Sequence, residues 1–224
     1  MEIEIRGNLV AGEEMPSVGG GRLAVRSALA PYRELASWPT SGPRDVEESL
    51  AVLRDPPRLE PVRRLAYAAG AAALRRAAGL ERLRLRLGLD PEEAFALEPR
   101  LSWGERFAVR RGSEPARGVA VVATHWSSLL GEPLAQAARE LASGRSVLLL
   151  SDPRVPRLAA LVAEALIEVA PVGDSVGVLH GLSDEGVRAL VRDPRVVRLV
   201  ASGEPERVRD LRRWTEGRGG AGRI

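Results

Sequence analysis

Four runs of apolar residues recur in the second half of the chain: GVAVV at 118–122, SVLLL at 146–150, SVGVLH at 175–180 and VVRLVA at 196–201. Between and after them lie stretches with apolar positions at helical spacing, at 131–142, 156–169, 183–192 and 204–215. A run that is apolar at nearly every position belongs to a strand buried on both faces. Strands of this kind alternating with helices predict a parallel sheet covered on both sides. Right-handed crossovers then bring the C-terminal ends of all the strands to one edge. The expected fold class is α/β, a Rossmann-like parallel sheet with flanking helices. Its ligand edge would carry the polar stretches ATHWSS, SDPR, HGLSDEG and SGEPE.

The first half is less regular. EIEIRGNLVAGEE alternates apolar and polar positions across Gly7 and Asn8, and SVGGGRLAVRSAL offers a second strand pair around Gly19 to Gly21, which together predict a small β-hairpin layer. A helix is expected from near Arg44, with Thr40 or Ser41 upstream, to the stop at Asp55-Pro56-Pro57. From Val62 to Leu87 the positions Leu65, Ala69, Leu74, Ala78, Leu83 and Leu87 again fit a helix. Its arginines, Arg63, Arg64, Arg75, Arg76, Arg82, Arg84 and Arg86, read as a solvated face rather than a phosphate-binding stripe, because no aromatic platform is interleaved with them. The organisation expected is a β-hairpin and helices over 1–116, a Rossmann-like core over 117–216 and a Gly/Arg tail over 217–224, all in one structural unit.

Composition narrows the chemistry. All 33 basic residues are arginine, so Schiff-base lysines, a phosphate-loop lysine and a lysine general base are excluded. Cysteine is absent, which removes thiol nucleophiles, thiolate metal sites and disulfides. The net charge of +3 gives no reason to expect a nucleic-acid partner. No uncharged apolar window is long enough for a membrane span, and MEIEIRGN lacks the features of a signal peptide, so a cytoplasmic location is expected.

The edge stretches resemble the aldehyde dehydrogenase superfamily. His125-Trp126-Ser127-Ser128-Leu129 stands where that family has a Pro-Trp-Asn-Phe-Pro-like turn, and residues 143–153, SGRSVLLLSDP, align without gaps with Ala-Gly-Asn-Thr-Val-Val-Leu-Lys-Pro-Ser-Glu. Val178-Leu179-His180-Gly181 is similar to Val-Val-Thr-Gly, RLVASGEPE at 198–206 to Lys-Ile-Ala-Phe-Thr-Gly-Ser-Thr-Glu, and NLVAGEE to the Asn-Phe-Ile-Asn-Gly-Glu hairpin. The resemblance spans nearly the whole chain but only the first, NAD(P)-binding half of a family member.

What it implies is a truncated and degenerate member. The family's catalytic cysteine has no counterpart, and Ser127 takes the place of the oxyanion-stabilising asparagine. Loss of one such donor costs about 2.7–4 kcal/mol of transition-state stabilisation. Leu150 replaces the lysine that reaches the adenosine ribose, Pro153 replaces the ribose-binding glutamate, and Glu204 replaces the serine near the pyrophosphate. Vestigial cofactor positions are Thr124, Trp126, Ser151, Gly181, Ser202, Gly203 and Glu204, with no catalytic residue and no metal expected.

The resemblance therefore implies a catalytically inactive assembly module with weak or no NAD(P) binding, whose partner is a second copy or a separate dehydrogenase chain. Residues 103–117 are the expected contact element. The alternative is the cofactor-domain half of a split NAD(P)-dependent aldehyde or acyl-CoA oxidoreductase. His125 and His180 would make an acid/base or metal cluster if they met Asp152 or Asp184, although two histidines without a third ligand read more plainly as polar edge residues. Trp126 reads as packing, and Ser127 and Ser128 lack the GxSxG setting of a nucleophile.

Overall fold

The computed structural model describes residues 4–26, 34–57, 59, 69, 72, 117–125 and 131–201. Their elements are, in chain order, β1 (Glu4–Ile5), β2 (Asn8–Val10), β3 (Glu13–Met15), β4 (Arg22–Arg26), β5 (Glu34–Pro39), α1 (Pro43–Val52), β6 (Val119–Ala123), α2 (Gly131–Ala142), β7 (Ser146–Leu150), α3 (Pro156–Val169), β8 (Val176–Leu179), α4 (Asp184–Arg192) and β9 (Val196–Ala201). A 3-10 turn, Gly173–Ser175, precedes β8.

The main sheet has the order β3-β2-β8-β7-β6-β9. The four strands β8, β7, β6 and β9 are parallel, as the apolar runs predict, and every residue of β6, β7 and β8 is buried. Helices α2 and α3 cover one face through Leu134, Leu141, Leu161 and Leu166 against Val122, Leu149 and Val178. On the other face α1 and α4 bury Val46, Leu50 and Leu190 against Val121, Leu148 and Leu179. Three layers result, with the sheet in the middle. Among the described residues no helix is long and apolar enough to cross a membrane.

The N-terminal strands differ from the sequence reading in two ways. The hairpin turn is Ala11-Gly12, with φ of 50° and 81°, and Gly7 lies before the hairpin instead. Left-handed backbone at both central residues suits a two-residue hairpin. This hairpin also joins the main sheet, through the antiparallel pairing of Leu9 with Val178. The second pair is not a hairpin around Gly19 to Gly21: β4 pairs with β5, a strand the sequence pattern did not predict, and β1 completes a small sheet of order β1-β5-β4.

Helix α1 starts where expected, with a different cap. Pro43 occupies its first turn, and the Asp45 carboxylate accepts from Gly42 N at 2.8 Å and from Val18 N at 2.9 Å. Ser41 is turned to Asn8 instead. Ala69 and Ala72 are helical and buried, consistent with the predicted pattern there. The rest of that arginine-bearing stretch, the expected contact element apart from Arg117, the helix expected at 204–215 and the tail lie outside the described residues.

One glycine sets the start of the parallel sheet. Gly118 has φ of 95°, and a Cβ there would lie 2.8 Å from Val197 Cγ1 and 3.0 Å from the Arg195 carbonyl oxygen. Gly118→Ala is expected to cost about 1–3 kcal/mol, read as a lower urea midpoint at constant slope. An unchanged midpoint would show that this turn relaxes without strain.

Candidate functional site at the C-terminal edge of the sheet

Strand β6 lies between β7 and β9, and the connections on its two sides run in opposite directions. In open α/β sheets ligands bind outside the strand C-termini at such a switch point. Thr124 and His125 follow β6, Ser151 and Asp152 follow β7, and His180 and Gly181 follow β8. All but Gly181 are buried.

The first cluster joins β6 to β7. Thr124 Oγ1 donates to the Leu150 carbonyl at 3.0 Å and accepts from Asp152 N at 3.2 Å. Asp152 accepts from Arg154 N at 2.9 Å, which makes a local turn, and the Arg154 guanidinium folds back with Nε 3.1 Å from Oδ1 and Nη2 3.0 Å from Oδ2. The same Nη2 is 2.9 Å from His125 Nε2, which stands 3.9 Å from Asp152 Oδ2. A guanidinium only donates, so Nε2 accepts here and His125 carries its proton on Nδ1. Asp152 and His125 are buried, whereas the Arg154 side chain that contacts both is 51% exposed.

The second cluster joins β8 to the N-terminal strands. His180 Nδ1 is 3.0 Å from Ser151 Oγ, and its backbone N donates to Asn8 Oδ1 at 3.0 Å, an oxygen that also accepts from Ser41 Oγ at 3.1 Å. The imidazole packs on Trp38 with ring centroids 4.5 Å apart. Burial, with smaller contributions from the charges of Arg6 and Arg157, pushes the His180 pKa down to about 3. So weak a base is poorly matched to proton abstraction near neutral pH. Gly181, at φ of 52°, lies against the end of β5, where a Cβ would come 3.2 Å from the Pro39 carbonyl oxygen.

The two histidines do not form one site. Strand β7 separates β6 from β8, which puts their strands about 9.6 Å apart, and each ring has a different partner. Asp184 is exposed in the first turn of α4, whose N-cap is Ser183. Among the described residues no group of three His, Asp or Glu side chains is placed to hold a metal ion. Leu150 packs into the core on the α1/α4 face, and Pro153 is exposed. Trp126, Ser127, Ser128, Ser202, Gly203 and Glu204 lie outside the described residues.

The sequence reading missed Arg154, Trp38 and Asn8, on which both clusters depend. A signal existed for two of them. Arg154 follows Asp152 by two residues in SDPR, the spacing of an aspartate-closed turn, and Asn8 is the one asparagine of the chain.

A doubly wound sheet with polar residues at its switch point is the architecture of nucleotide-binding α/β domains. No family model matches the chain and no curated protein matches it by sequence. Among solved structures it has the fold of aldehyde dehydrogenases. An NAD-dependent aldehyde dehydrogenase from Sinorhizobium meliloti aligns with a TM-score of 0.77 and 17% identity, over 98% of this chain and 49% of that one. The aldehyde dehydrogenase KauB from Pseudomonas aeruginosa gives 0.76 and 21%, over 97% and 49%. The 1-pyrroline-5-carboxylate dehydrogenase of Thermus thermophilus gives 0.74 and 18%, over 99% and 48%. The chain thus spans about half the length of the structures it matches.

Proposed function

We propose that these 224 residues form a dehydrogenase-type cofactor domain that neither holds NAD(P) tightly nor oxidises an aldehyde by itself, and that acts in the cytoplasm by associating with a protein partner. One observation carries this reading: the acid and the imidazole at the ligand edge, Asp152 and His125, are buried and bound to Arg154. A dinucleotide placed over β6 and β7 would have to displace that ion pair before it reached either group. Among the described residues the edge does not fit the cofactor.

Four further features support the reading. Leu150 is committed to the core, where it offers no polar contact to a ribose. Pro153 has no side-chain donor or acceptor, and the sequence contains no cysteine to attack a carbonyl. Of the cofactor positions suggested by resemblance, Thr124 and Ser151 are engaged within the protein, to Leu150 and Asp152 and to His180 respectively.

A second reading is favoured by the length comparison, in which the matched structures carry about as much chain again. In that reading the domain is one half of a split NAD(P)-dependent aldehyde or acyl-CoA oxidoreductase, and another chain supplies the nucleophile and the remaining cofactor contacts.

Thermal unfolding with NAD or NADP at about 1 mM separates tight from weak binding. A micromolar site would add about 4 kcal/mol at a thousandfold excess of ligand over Kd, or about 8–16 °C for a domain of this size. No resolved shift is expected. A shift of that size would overturn the first reading, whereas a shift seen only after mixing with a partner chain would establish the second.

A further inference from the structure

At the opposite edge of the main sheet, where α2 ends and β7 and β9 begin, the Glu140 carboxylate holds two guanidinium groups together. Oε2 accepts from Arg145 Nη1 at 2.7 Å, and Oε1 lies 2.9 Å from Arg198 Nε. Arg145 Nη1 also donates to Ser143 Oγ at 3.1 Å, but the Nε–H groups of Arg145 and Arg198 are buried with no acceptor. A buried donor without an acceptor costs free energy, which an added acceptor recovers.

The local charge is unbalanced in the same sense. Arg139, engaged by a contact of its own, adds its charge to the group. Among the described residues the other charges acting on it are those of Arg198, Glu140 and Arg145, so cations outnumber carboxylates three to one. The C-terminal end of α2 opposes them with about half a negative charge, which leaves an excess of about 1.5 positive charges. Its carbonyls at Arg139, Glu140 and Leu141 are already capped by the N–H groups of Ser143, Arg145 and Gly144. The Arg145 and Arg198 side chains are 23% and 28% exposed. Their outer edges thus meet solvent while the rest is enclosed, a setting open to a small ion rather than to a chain.

We infer that Arg145 and Arg198, in the field of Arg139, form a site for a free phosphate-type dianion. The ion accepts hydrogen bonds from the outer N–H groups of both guanidiniums and ties the end of α2 to β9. The planar fork of donors on each guanidinium suits a tetrahedral oxyanion. The site lies away from the nucleotide edge and stands whether or not the domain holds NAD(P).

Calorimetric titration of the whole chain with inorganic phosphate slightly above neutral pH, against chloride at equal ionic strength, is expected to show one phosphate per chain with a millimolar Kd. At about a twentyfold excess over that Kd, the melting temperature should rise by about 4–7 °C above the chloride control. Arg145→Gln and Arg198→Gln should each cut the rise to less than half, as a site about tenfold weaker would. Arg22→Gln, on β4 in the small sheet, should keep it in full. Exclusion of phosphate from the protein surface stabilises all these variants alike, so the difference between them reads the site. No one-to-one binding by the wild-type protein, an equal rise with acetate at the same ionic strength, or a full rise in either Arg145→Gln or Arg198→Gln would each overturn the inference. The calorimetry needs no variant, so the test stands even if a substitution prevents folding.

Discussion

Replacing Glu140 with alanine is expected to lower the unfolding free energy by about 3 kcal/mol, the lower part of the range for stranding buried charge. Glu140 lies on α2 with 1% of its side chain exposed. Oε2 accepts from Arg145 Nη1 at 2.7 Å, and Oε1 lies 2.9 Å from Arg198 Nε, an ion pair whose N–H is not aimed along the contact. Both arginines are about a quarter exposed, which is why the lower end of the range applies. Arg139 adds a third cation nearby, its pKa lowered chiefly by burial and next by Arg198. With the carboxylate gone, these guanidinium groups repel one another in a poorly solvated space.

The geometry of that network is prepared by the backbone. The main chain of Arg145 bonds to the Glu140 carbonyl at 3.0 Å as α2 ends, and the β6–β9 register slips by one residue at Val197, aligning Ala120 with Arg198. A bulge of this kind re-aims the side chains that follow it, and it turns Arg198 toward α2. A melting temperature about 6–12 °C below wild type is expected for Glu140→Ala, with a smaller loss for Glu140→Gln, which keeps the acceptor oxygen. A change below 2 °C for the alanine variant would mean that solvent, not Glu140, balances the arginines.

The core strands were legible because burial leaves a continuous apolar record. SVLLL and VVRLVA give β7 and β9 at their observed limits, and 156–169 gives α3. Strand β5 left no such record: its stretch ELASWP mixes polar and apolar residues and ends at Pro39. The hairpin turn was hidden for a related reason, since it uses Ala11-Gly12 rather than the Asn-Gly or Asp-Gly signal. At the edge, His125 and His180 look equivalent in the sequence because each follows an apolar run. Strand order makes them different, and a run of residues does not reveal which strand lies between two others.

That difference gives the second large effect, a loss of stability in acid that belongs to His180 in particular. The fold lowers its pKa from 6.5 to about 3, first by burial and then by the charges of Arg6 and Arg157. Between those values the unfolded chain binds the proton and the folded chain does not, so stability rises with pH across this window. The contribution is intact above about pH 6.5, declines as the pH falls, and reaches its limit near pH 3. At pH 4.5, two decades below the unfolded pKa, the loss amounts to about 2.7 kcal/mol at about 1.4 kcal/mol per decade. Carboxylates also titrate there, but they do so equally in His180→Gln. Urea unfolding at pH 7 and 4.5 should therefore show a smaller acid loss in the variant than in wild type, by about 2.7 kcal/mol, whatever the variant's stability at neutral pH. Equal losses would mean that the imidazole is protonated in the folded state, with Trp38 and Ser151 accommodating the cation. A packed neutral ring would then no longer describe how β8 is joined to the N-terminal strands.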